Sequence, residues 1–192
     1  MRPFTLFCKE MEDLDPESYQ TREVFAYFGR ATFTAQCLEQ AIIQDLIFFD
    51  HFPNAVATVK DKETWTARFD SFEAAELRRT LGMLIKRLRA EGQVTTSIEE
   101  HLDEVLEKRN WLAHRYFNER AVEFTLYDGR AKMLEELQEV HDLFRKVEVM
   151  INEVTRPISI KYGMTDEILA RITLDMITQY KKEAEQDAPS NR

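Results

Sequence analysis

Between residues 107 and 117 the chain reads Glu-Lys-Arg-Asn-Trp-Leu-Ala-His-Arg-Tyr-Phe. Arg109, Asn110 and His114 fall within six residues, inside a segment whose apolar spacing is that of a packed helix. A guanidinium offers a planar fork of donors that matches phosphate oxygens, and an imidazole can take or give a proton near neutrality. Together they form a minimal kit for gripping a phosphate and moving a proton. At about 100° per residue, Ile98, Leu102, Val105, Leu106, Leu112, Ala113 and Tyr116 define one apolar face, with Arg109 near its middle. Burying an unpaired cation costs several kcal/mol, so Arg109 is expected to meet a partner, water or a ligand. Asn110 and His114 are four apart and therefore neighbours on the next face, where the amide can orient the imidazole. Arg109 and His114 are about 140° apart. They converge only through the reach of arginine or by meeting residues of a second subunit.

The elements around this segment follow from composition and periodicity. With 192 residues, 44% hydrophobic, the chain can build one domain with a real core. Five glycines and five prolines suit long helices better than an all-β domain. No apolar run reaches the length of a membrane span, and residues 1–14 are too mixed for a secretory signal. Cys8 and Cys37 fit a reducing cytoplasm and lack zinc-site spacing. No metal or cofactor motif is present: there is no HExxH, no CxxC and no phosphate-cradling glycine loop. The net charge of −9 disfavours a protein that coats nucleic acid nonspecifically, but leaves room for a local basic pocket.

The expected fold class is all-α, an antiparallel bundle of about five helices. An N-terminal extension covers residues 1–15, the helical domain 16–182 and a polar, frayed tail 183–192. Asp15 and Pro16 open a helix reaching about residue 50. Its main stripe is Val24, Phe28, Ala31, Ala35, Leu38, Ile42, Leu46 and Phe49, and a second apolar set (Tyr27, Phe33, Ile43, Ile47, Phe48) implies neighbours on two sides. Trp65 and Phe69 lie in a looser stretch. The next helix, with Leu77, Leu81, Leu84 and Leu88 in register, starts either at Asp70-Ser71 or at Thr80 and ends at Glu91-Gly92. Thr96 with Glu99 and Ser97 with Glu100 match capping boxes for the helix carrying the motif, to about Asn118. Val122, Phe124 and Leu126 alternate before Asp128-Gly129, as in a short strand, hairpin arm or ordered loop. A helix from Ala131 to Ile151 is expected to stop before Pro157, and a last one starts near Thr165 after Gly163.

The pattern Arg109-Asn110-Trp111-Leu112-Ala113-His114, continued by Arg115-Tyr116-Phe117, resembles the Arg-polar-x-x-x-His signature of HEPN domains. The helix over residues 29–46, with Leu38-Glu39, and the Thr80-Leu81-Gly82 turn look similar to that family as well, so the resemblance spans residues 24–151. It implies an all-α bundle that forms a homodimer and brings two Arg/His motifs together in a cleft. Many members are metal-independent endoribonucleases, several of them toxins or phage-defence effectors, often beside a nucleotidyltransferase-type antitoxin; others are non-catalytic. On that reading Arg109, Asn110 and His114 are the catalytic set. The two His114 side chains would divide general base and general acid work on RNA. Arg109 would stabilise phosphate charge in the transition state, and Asn110 would hold His114 or contact phosphate. Lys108 and Arg115 would steer the backbone, and Tyr116, with Trp111 and Phe117, could stack a base.

Each of these residues also has a plainer reading. Arg109 and His114 could belong to a structural polar network, Trp111, Tyr116 and Phe117 to packing, and Lys108 and Arg115 to a solvated surface. His141 sits in an apolar register and reads as a half-buried structural histidine. A non-catalytic module binding nucleotide, RNA or protein is therefore the alternative function, and a purely structural helical dimer the third.

Overall fold

The computed structural model describes residues 15–91 and 94–186, and among them every regular element is a helix. In chain order these are α1 (Pro16–Leu46), a π-helical turn (Ile47–His51), α2 (Phe52–Thr58), α3 (Lys62–Leu77), α4 (Leu81–Ala90), α5 (Thr96–His114), α6 (Tyr116–Glu119), α7 (Ala121–Thr125), α8 (Tyr127–Lys161) and α9 (Asp166–Gln186). The all-α class is as expected. Residues 1–14 of the expected extension over 1–15, Gly92, and the end of the tail from residue 187 lie outside the described residues.

Helices α1 and α8 form the spine, and α4 and α5 close the core against them. The α1 stripe is buried as its spacing requires: Val24, Ala31, Leu38, Ile42 and Leu46 have no exposure. They meet Leu102 and Val105 of α5 and Leu137, Phe144 and Val147 of α8 in one continuous core. Much of the second apolar set on α1 is consumed within the chain, since Ile43 and Ile47 are buried too. Phe33 stays 64% exposed.

Caps decide the boundaries. Asp15 accepts from the backbone N–H groups of Glu17 and Ser18, both at 3.0 Å, with Pro16 in the first turn. Thr80 caps α4, which settles the two alternatives: α3 starts at its cap Asp61, runs straight through Asp70-Ser71 and stops at Leu77, leaving that leucine exposed. The cap of α5 is Thr95, one residue before the expected capping boxes, with its hydroxyl accepting from Ile98 N–H at 3.3 Å.

Two expectations fail. The alternating segment Val122–Leu126 is not a strand: Ala121–Thr125 forms the short helix α7, with no strand among the described residues to pair it. Alternation over five residues fits one exposed helical turn equally well, and Val122 is 70% exposed. Asp128-Gly129, where that segment was expected to end, is part of the first turn of α8. Gly129 is needed there because α7 crosses so closely that a Cβ would stand 2.2 Å from the Glu123 carbonyl oxygen. Nor does Pro157 stop α8, which continues to Lys161. Proline removes one helix donor, but its ring is exposed and the next turn stays anchored by buried Ser159. Gly163, at φ 87°, then turns the chain into α9, as expected from its place before Thr165.

Candidate functional site

Arg109 is set by α5 against the middle of α1. Its Nε donates to Glu39 Oε1 at 3.0 Å, and Nη1 makes only a long 3.5 Å contact with Asn110 Oδ1. The two side chains are 30% and 21% exposed, so the pair lies at the rim of the bundle rather than in it. This corrects the placement of Arg109 at the centre of the apolar face: Ala113, assigned to that face, is exposed, and the face turns toward Trp111 and Leu112 instead. The truly buried arginine is Arg130, 3% exposed, with Nε donating to Gln20 at 2.8 Å, Nη1 to the Phe124 carbonyl at 2.9 Å, and Nη2 near Glu17 at 3.4 Å. Arg130 spends its fork on internal partners; Arg109 does not.

A cavity of about 430 Å³ lies elsewhere, at the other end of α1, but the one at Arg109 is smaller, about 250 Å³. Its walls are Phe28, Thr32, Ala35, Gln36 and Glu39 of α1 and Arg109, Leu112 and Ala113 of α5. The Thr32 hydroxyl is buried there without a hydrogen-bond partner, a donor and acceptor left for a bound group or water. Glu39, Thr32 and Gln36 are site residues that the motif alone did not reveal. The available signal was a carboxylate directly beside the buried Leu38 on an otherwise apolar stripe.

His114 is the last residue of α5, exposed, and its imidazole makes no hydrogen bond among the described residues. It does not line the Arg109 cavity. Asn110 is exposed, and its amide oxygen faces Arg109 rather than the imidazole. One copy of the chain therefore gathers Arg109, Asn110 and Glu39, and leaves His114 beside them, open to solvent.

The remaining motif residues build the wall behind the site. Tyr116 is 1% exposed, and its hydroxyl donates to the Met133 carbonyl at 3.3 Å. Burial pushes its pKa upward. Its ring stacks on Phe28 at 5.7 Å and meets Trp111 edge-on at 4.8 Å, so no face is left for a base, and the expected stacking role falls to packing. Trp111 Nε1 donates to Glu119 at 2.8 Å, with Lys108 Nζ 5.2 Å and the Arg120 guanidinium 5.4 Å from its ring centre. Arg120 is itself held by Glu136 through two bonds of 2.9 and 2.6 Å. Phe117 sits among Phe25, Phe28 and Phe124. Arg115 is exposed beside Glu119, 3.4 Å away. Lys108 and Arg115 thus lie near the surface, flanking the cavity-bearing part of α5.

Among the described residues no group of three or more His, Cys, Asp or Glu side chains is placed to hold a metal. His141 Nδ1 contacts Asp142 at 2.9 Å and is 20% exposed, in keeping with a structural histidine. Among the same residues no helix is long and apolar enough to cross a membrane. No protein-family model, curated protein or solved structure matches the chain.

Proposed function

We propose that the chain is a HEPN-type, metal-independent endoribonuclease, whose site is completed when two copies bring their Arg109, Asn110 and His114 together. The observation that carries this reading is the half-used guanidinium. Glu39 fixes Arg109 through Nε alone, leaving the Nη edge with only a 3.5 Å contact beside a cavity that holds an unpartnered hydroxyl. That edge can pair with two phosphate oxygens. One imidazole takes the proton of the ribose 2′-hydroxyl, whose oxygen bonds to phosphorus. The bond from phosphorus to the 5′-oxygen breaks, and that oxygen takes a proton from the second imidazole. Arg109 stabilises the charge gathered on phosphate, a contribution of about 3 kcal/mol for a well-placed donor. Lys108 and Arg115 are the backbone-steering candidates. A toxin or phage-defence role, with a nucleotidyltransferase-type antitoxin as partner, comes with the family resemblance and not with the geometry.

Purified protein should cut single-stranded RNA in EDTA, and His114→Ala should abolish cutting while leaving the helical signal intact. Equal cleavage by the variant would point to a contaminant and sink the proposal. Growth arrest on expression, relieved by His114→Ala, would support the toxin role.

One observation favours a second reading, a non-catalytic module that binds nucleotide, RNA or protein. His114 does not line the cavity where Arg109 and Glu39 meet. On that reading Arg109→Ala weakens ligand binding, and no RNA is cut under any condition.

A further inference from the structure

Helix α9 leaves the bundle. From Leu169 to Ala184 every residue is exposed. At 21 residues α9 is long enough to persist as a helix, but helices in proteins ordinarily pack an amphipathic face, and most of α9 packs none in its own chain. Such a face exists. Leu169, Ile172, Met176, Ile177 and Tyr180 lie within one stripe at helical spacing, with exposures of 40, 41, 67, 47 and 73%. At about 180 Å² per large side chain, the arm offers about 500 Å² of uncovered apolar surface, the size of the largest apolar patch on a typical monomer, a kind of patch that is often functional.

The bundle carries a matching furrow. On the outer side of α1 and α8 a cleft lined by Phe33 and Cys37, with Gln40, Gln44 and Glu148 at its edges, joins at Asn152 an open face of α8 on which Val149, Pro157 and Ile160 lie between Arg145, Glu153 and Arg156. Phe33, Val149 and Ile160 are 64, 38 and 47% exposed. From Arg145 to Ile160 the furrow follows about 23 Å of helix, and the arm from Asp166 to Tyr180 is about 22 Å long. Only the base of the arm meets its own bundle, where Asp166 and Leu169 line the cavity at the end of α1 together with Asn152 and Arg156; beyond Leu169 the arm does not fold back onto its own furrow. Gly163 takes a left-handed φ of 87°, and Arg156 clasps both the Met164 carbonyl at 2.8 Å and the Asp166 carboxylate, fixing the first turn of α9 in its outward course.

We infer that α9 is an exchange arm whose apolar stripe seats in the α1/α8 furrow of a second copy of this chain. Two exchanged arms bury about 1,000 Å² of their own surface, and the two furrows bring the total into the 1,200–2,000 Å² of stable assemblies. Gln36 lines both the furrow and the Arg109 cavity, so a seated arm borders that site. The inference stands on the arm and furrow alone, whether or not the Arg109 site cuts RNA.

The test uses the full chain. Wild type should sediment as a dimer at tens of micromolar, and the double variant Ile172→Glu, Met176→Glu as a monomer with unchanged helicity, because both positions are exposed. In a background with Cys8 and Cys37 replaced by serine, a chain with Val149→Cys and another with Met176→Cys are mixed and treated with a short bismaleimide. A covalent product holding one copy of each is expected. A monomeric wild type, a dimer that survives the double variant, or the absence of a covalent product between the two mixed chains would each overturn the inference.

Discussion

Asp45 gives a quantitative handle on this fold. It is 1% exposed between α1 and α8; Oδ1 accepts from the Thr155 hydroxyl at 2.8 Å, and Oδ2 has no partner. Burial pushes its pKa from 3.8 up to about 6, against the smaller opposing effect of the Thr155 bond. Between these two values the unfolded chain has released the proton while the folded chain retains it, so stability falls as pH rises through that window. At 1.36 kcal/mol per pH unit the full loss is about 3 kcal/mol, complete above pH 6. Asp45→Asn keeps an oxygen for Thr155 and removes the charge. Some of the gain is lost because the amide NH2 takes the place of Oδ2, which is buried without a partner, at a cost of about 1 kcal/mol. The variant should therefore be about 2 kcal/mol more stable than wild type at pH 7.5, and equal to it or slightly weaker at pH 4. Urea unfolding followed by circular dichroism, on both proteins at half-unit steps from pH 4 to 8, cancels the other titrating groups in the difference. A difference that does not change across pH 4–7, or a variant weaker at pH 7.5 than at pH 4, would refute the reasoning.

Other substitutions test other parts of the molecule. Glu39→Gln frees Arg109 of its counter-charge; on the proposed function, RNA affinity measured by filter binding should change at least several-fold, while melting shifts by less than about 1 kcal/mol because the pair is half-exposed. Gly129→Ala should cost about 1–3 kcal/mol in chemical denaturation, since α7 and α8 must separate to admit the methyl group. Phe144→Ala, at a position with no exposure, should cost about 3–5 kcal/mol in the same assay. Arg130→Leu should cost about 3 kcal/mol or more, because Gln20 and the Phe124 carbonyl lose their buried donor.

The helical spine was legible because period alone specifies it: six of the eight α1 stripe residues are buried, and Asp15, Thr80 and Gly163 act at the boundaries where their chemistry puts them. Failures came where tertiary contact decides. Gly129 signals a turn by composition, but its missing side chain serves a helix crossing that only the folded chain contains. Pro157 signals a stop, but the turn beyond it is retained by buried Ser159. Arg109 and Arg130 are indistinguishable as residue types. Which one is buried depends on Gln20 and Phe124, and a linear reading does not connect these to either arginine. The candidate site was located by its motif, while Glu39, 70 positions away, figured in the sequence only in the Leu38-Glu39 likeness, and its pairing with Arg109 emerged when α1 lay against α5.

The π-helical turn at Ile47–His51 sets the phase of the helical segment beyond it. A turn of this kind accommodates one residue more than an α-helix would, and that surplus rotates everything downstream by about 100°. Within the turn itself, Asp50 faces Arg87, which also holds the buried Glu76, and His51 is tucked among Phe52, Phe69 and Phe72. Deleting a single residue from this stretch would let the helix run on without interruption, and would swing the acid away from its arginine and the imidazole out of its aromatic nest. Changes of length, more than changes of identity, are what this corner of the molecule is built to refuse.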